Sequence, residues 1–125
     1  MAIAKTSLAF WPGKWPDPRT DVRRVLYCYV CERLVRRLRD LVEIQEAASR
    51  IAIDRGYCLG PLFVEEDDSG VAMEALLHAA ASNAGGAVVA VPHRGHFVPL
   101  GRPDEWHQFL EQMTGHSLVF IRYIP

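Results

Sequence analysis

Four sets of residues in this chain have the types and spacing for chemistry. Cys28 and Cys31 form a C-x-x-C pair, and His93 and His96 form an H-x-x-H pair around Arg94. Arg33, Arg36 and Arg37 follow Cys31 at the i, i+3, i+4 spacing of one helix face. Glu65-Glu66-Asp67-Asp68 is an unbroken acidic run. A thiol at a strand end beside arginines is the setting in which cysteines become nucleophiles, so Cys31 is the candidate nucleophile. The bland alternative is a packed cysteine. The C-x-x-C pair does not read as a redox or metal motif, because an odd separation along a strand sends the two side chains to opposite faces. The histidine pair lacks evident third and fourth ligands in His78, His107 or Cys58, so no metal or other cofactor is expected. The acidic run reads as a solvated turn that could face the arginines. Those arginines, with Arg94, are the candidate contacts for an anion or nucleic acid, against the plainer reading of a solvated, salt-bridged face.

The elements that must position these residues alternate. Arg23–Val30 is β-branched and aromatic, apolar on both faces, as a central parallel strand is. Glu32–Arg39 reads as a basic amphipathic segment. Asp40 then caps a helix in a capping box with Glu43, its apolar face made by Leu41, Ile44, Ala48, Ile51 and Ala52 and its end set by Gly56. Tyr57–Val64 is a second strand, irregular at Gly60-Pro61. An acidic turn, a helix over Val71–Asn83 and the strand Ala87–Val91 follow. Pro92–Arg102 is a loop, Pro103 opens a helix with the stripe Trp106, Phe109, Leu110 and Met113, and Ser117–Ile121 is the last strand. Short connections between alternating elements predict a three-layer α/β/α sandwich with a mostly parallel sheet of about four strands. Ligands of such sheets bind at the carboxyl ends of the strands, where Cys31, the acidic turn and the Pro92–Arg102 loop would meet.

The totals set bounds. A chain of 125 residues holds one core. We read residues 1–21 as an arm whose Pro12, Gly13, Pro16 and Pro18 exclude regular structure, and 22–125 as a single domain. Trp11 and Trp15 in the arm either pack back on the domain or anchor a partner. Fourteen basic and fifteen acidic residues give a net charge of −1, which weighs against a free-standing duplex-DNA binder. Three irregularly spaced cysteines give no disulfide framework. No apolar run approaches the roughly 20 residues of a membrane span. The expected setting is cytoplasmic, with no membrane partner.

In order, these motifs resemble the N-terminal domain of the serine recombinases of the resolvase/invertase family. The family's opening Tyr-x-Arg-Val-Ser has its counterpart in Tyr27-Cys28-Tyr29-Val30-Cys31. Gln45, Ala48 and Gly56-Tyr57 match the following helix and its exit. Phe63 through Ser69-Gly70 match Phe-x-Asp-x-x-x-Ser-Gly. His93-Arg94-Gly95-His96-Phe97 stands where the family has Asp-Arg-x-x-Arg, and Leu118-Val119-Phe120-Ile121 fits the last strand. The resemblance covers about four-fifths of the chain. It implies a resolvase-like fold and a serine nucleophile activated by arginines that neutralise the reacting phosphate.

The departures fall on that chemistry. Cys31 holds the nucleophile position, Tyr29 that of the strand arginine, His93 that of the loop aspartate and Phe97 that of the second loop arginine. Arg94 alone of this set is retained, and Ser69–Asn83 contains no arginine. Losing one such arginine costs on the order of 10³-fold in rate. After the last strand we expect no counterpart of the family's long dimerisation helix or C-terminal DNA-binding domain. The expectation is a catalytically silent, recombinase-like interaction or regulatory module, with a protein partner or self-association. Phe97-Val98-Pro99-Leu100 and the tryptophans of the arm are its candidate partner surface. The rival is an active or accessory recombination factor that exchanges DNA strands by phosphoryl transfer.

Overall fold

The computed structural model describes residues 23–121; Trp11 and Trp15 lie outside them. Nine segments follow in order: β1 (Val25–Cys31), a 3-10 turn (Glu32–Leu34), α1 (Leu38–Arg55), β2 (Cys58–Glu65), α2 (Val71–Ala81), β3 (Ala87–Val91), a 3-10 segment (Arg94–Leu100), α3 (Pro103–Thr114) and β4 (Val119–Phe120). The sheet order is β2-β1-β3-β4 and every pairing is parallel. The α/β class with a four-stranded parallel sheet, expected from the sequence, is what the chain forms.

The two-residue alternation of β1 explains how the faces are covered. Val25, Tyr27 and Tyr29 join Val89, Val91 and Phe63 in a core with Met73 and Leu76 of α2 and Leu110 of α3. Leu26, Cys28 and Val30 join Val88, Ala90 and Val64 in a second core with Leu41, Ile44 and Ala48 of α1. The sheet therefore lies between α1 on one face and α2 with α3 on the other. All seven residues of β1 are buried, as a strand covered on both faces requires.

Several boundaries differ from the sequence reading. Glu32–Arg39 is not a helix. After one 3-10 turn the backbone is extended at Val35, and α1 starts at Leu38. Three arginines on one helical face would repel; off it, Arg33 pairs with Asp68 and Arg37 lies beside Asp40, while Arg36 is exposed. Asp40 is not the cap but the third residue of α1, where its Oδ2 accepts the Arg37 N–H at 3.2 Å. Glu65 belongs to β2 and not to the acidic turn. β4 is two residues long rather than five. At Gly60-Pro61 β2 carries the expected irregularity: Leu26 pairs with Leu59 but Cys28 with Leu62, so β2 has one extra residue there. Gly56 ends α1 at φ 74°, in the left-handed region that favours glycine.

Candidate functional site

The order in which strands are added reverses between β1 and β3 of this all-parallel sheet. From β1 the chain passes to α1 on one face; from β3 it passes to α3 on the other. Between the carboxyl ends of two such strands a parallel sheet opens a crevice, the usual ligand site of the class. Here Cys31 ends β1, and the 3-10 segment Arg94–Leu100 follows β3.

That crevice is filled by the chain itself. The Cys31 N–H donates to His96 Nδ1 at 2.9 Å. Phe97 is fully buried and stacks on Tyr29, with ring centroids 6.0 Å apart and planes at 23°. Phe97 is thus a core residue, and the expectation that it forms a partner surface is overturned. The local reason is the 3-10 winding, which turns His96 and Phe97 inward together and leaves Val98 outside. His93 seats the segment: its Nδ1 accepts the Gly95 N–H at 3.1 Å, and its carbonyl accepts the His96 N–H at 3.2 Å. The two imidazoles meet edge to face at 4.6 Å. Because His96 Nδ1 is an acceptor, its proton sits on Nε2. Burial, and secondarily the neighbouring His93, push the His96 pKa down from 6.5 to about 4.

One strand further along the edge, Glu65 is buried. Its Oε1 accepts the Tyr29 O–H at 2.9 Å and the Met73 N–H at 3.3 Å; its Oε2 accepts the Ala72 N–H at 3.0 Å. Three donors converging on two oxygens suit a carboxylate held at a helix N-terminus. The amides of α2 that would meet an incoming anion are therefore occupied by this side chain. Burial, followed by the Glu65 contact, raises the Tyr29 pKa well above the ordinary phenol value. Sequence reasoning placed Glu65 in a solvated turn. The available signal was the run Leu62-Phe63-Val64, whose burial continues one residue into Glu65.

The arginines point elsewhere. Arg94 pairs with Asp104 of α3 at 2.7 Å, both side chains more than half exposed. Arg33 pairs with Asp68, so at this point the basic segment and the acidic turn face one another. Arg37 lies 3.7 Å from Asp40, and Arg36 is exposed. Cys31 is 2% exposed. Cys31, Tyr29 and Phe97 thus share the crevice, with His96 and Glu65 beside them. Arg33 and Arg94 are engaged in ion pairs at the surface. Among the described residues no three histidine, cysteine or acidic side chains come together as a metal site would need. Among the described residues no helix is long and apolar enough to cross a membrane. Large apolar side chains do reach the surface elsewhere: Phe109 and Met113 of the α3 stripe are exposed, while Leu110 alone of that stripe is fully buried.

Compared with protein-family models, with curated proteins and with solved structures, the chain matches none.

Proposed function

We propose that this chain is a resolvase-like domain without strand-exchange chemistry that works as a protein-interaction or regulatory module. One observation carries the reading: the crevice where such a sheet would present its reactive groups is packed by His96 and Phe97 of the same chain. A phosphodiester would need to reach the Cys31 sulfur and find guanidinium groups around it. Cys31 is buried, Arg94 is held by Asp104 and Arg33 by Asp68. The α2 amides are taken by Glu65. A fold keeps its framework while its role changes, and burying the former reactive positions is compatible with a module that recognises a protein through its outer surface.

The test is incubation of the full chain and of Cys31→Ala with supercoiled DNA, followed by denaturing electrophoresis. No covalent adduct and no change in topology is the expected result for both. An adduct formed by the wild-type chain and lost in Cys31→Ala would overturn the reading in favour of an active recombination factor. A labelled duplex at low salt gives the second arm, with no shift expected.

A further inference from the structure

The stretch that links β1 to α1 and runs into the first two residues of that helix is charged and exposed. Of Glu32–Arg39 every residue is exposed except the half-buried Val35. It carries Arg33, Arg36, Arg37 and Arg39, and with them Leu34 at 41% and Leu38 at 64% exposure. Arg33 is paired with Asp68, and Arg37 lies beside Asp40. Arg36 and Arg39 form no ion pair among the described residues. Across the Arg33–Asp68 contact lies the acidic turn, where a groove is lined by Glu66, Asp67, Ser69 and the half-exposed Val71. Glu66 and Asp67 form no ion pair among the described residues either. A basic strip with two cations outside any ion pair among the described residues therefore abuts an acidic groove whose Glu66 and Asp67 form none, Asp67 Oδ1 accepting the neutral Ser69 N–H at 2.9 Å with Arg33 nearby, and Arg33–Asp68 marks the seam.

Such a patch is its own complement. A half-turn about an axis through the seam places the basic strip of one copy over the acidic groove of the other, and the reverse, which is the requirement for an isologous interface. We infer that this edge is a homodimer interface, with Arg36 and Arg39 of each copy facing Glu66 and Asp67 of its partner. Leu34, Leu38 and Val71 are the apolar surface it would cover. A nucleic acid or an anionic lipid surface would attract the basic strip but be repelled by Glu66 and Asp67 next to it. A second copy satisfies both halves at once. The net charge of −1 leaves little long-range repulsion between copies. The inference rests on the interaction-module reading and names its partner.

Sedimentation velocity of the full chain tests it, with Arg36→Glu/Arg39→Glu, Glu66→Arg/Asp67→Arg and their equimolar mixture. All these positions are exposed, and circular dichroism checks that each variant keeps its fold. The wild-type chain should dimerise, and raising salt from about 0.05 M to about 0.5 M should weaken the dimer roughly tenfold or more. Each double variant should sediment as a monomer, because two like-charged pairs would meet on each side. The mixture should recover a one-to-one dimer, since every reversed charge then meets its opposite. A monomeric wild-type chain, or a dimer indifferent to both reversals, would overturn the inference, as would a mixture that stays monomeric. A DNA adduct would remove the parent reading while leaving this result intact; a monomer without an adduct would remove the dimer alone.

Discussion

The His96 imidazole is built to be neutral. It accepts the Cys31 N–H on Nδ1, and a second proton there would set two donors against each other inside the core. The pH dependence follows from proton counting. The unfolded chain protonates this histidine below its ordinary 6.5, the folded chain only below about 4. Between those values the unfolded state binds more protons, so stability falls as pH falls through the window and levels off below it. The full contribution of this one group is roughly 3 kcal/mol. In His96→Asn, whose side-chain oxygen can take the acceptor place without titrating, urea melts at pH 7 and pH 4.5 should differ less than in the wild-type chain. An undiminished difference would assign the acid sensitivity to other groups. Glu65 is the second residue of this kind. Glu65→Gln would replace one of its acceptor oxygens with an NH2 group, leaving at least one of its three donors without a partner. We expect a loss of roughly 2 kcal/mol in chemical denaturation, with the secondary structure kept. An unchanged midpoint would show that water reaches the site.

Among the elements, β2 is the one whose irregularity has a packing cause. The extra residue at Gly60-Pro61 brings Gly60 against β1 so closely that a Cβ there would lie 2.7 Å from both Tyr27 Cδ1 and Val25 Cγ1. The Tyr27 ring cannot move freely, because it packs at 6.0 Å from Phe63 and its O–H donates to the Ala79 carbonyl at 3.2 Å. Gly60→Ala should therefore cost roughly 1–3 kcal/mol by overpacking, read as a lowered thermal midpoint. Gly56→Ala makes a useful contrast: its Cβ would meet nothing, and only the φ of 74° is unfavourable. The basic segment teaches the opposite lesson about elements. Its periodicity fits a helix, yet Arg33 leaves to pair with Asp68, and Asp40 draws in the Arg37 N–H to begin α1 at Leu38. A helical spacing of arginines records where helix neighbours would be, not whether their mutual repulsion allows them there.

At the scale of the molecule, the sheet hides the chain's thiols from both sides. Cys28, Cys31 and Cys58 are all buried and none is in a disulfide, and burial pushes the Cys28 thiol far up. Reagents need an exposed thiolate, so reaction should track opening of the whole domain. Iodoacetamide should modify none of the three in the native chain at neutral pH and all three in denaturant, counted by intact mass. Rapid selective labelling of Cys31 in the native chain would show that the crevice opens, and would revive a reactive role for it.

What residue order alone determined is the framework. The apolar strand β1, the α1 stripe from Leu41 to Ala52, the stop at Gly56 and the strand Ala87–Val91 are set by local periodicity and turn chemistry, and these require only near neighbours. From them follow the parallel sheet and the carboxyl edge at which Cys31, the acidic turn and the histidine loop meet. What the tertiary structure decided is which of those residues face water. Phe97 and His96 turn into the crevice, Glu65 is drawn under α2, and Arg94 turns out to Asp104. Each choice depends on a partner 10 to 68 positions away or on a packed surface made by several elements, apart from the shorter Glu65 contact. Burial of a polar side chain is favourable only when such partners arrive in the right geometry, and a linear pattern does not carry that geometry.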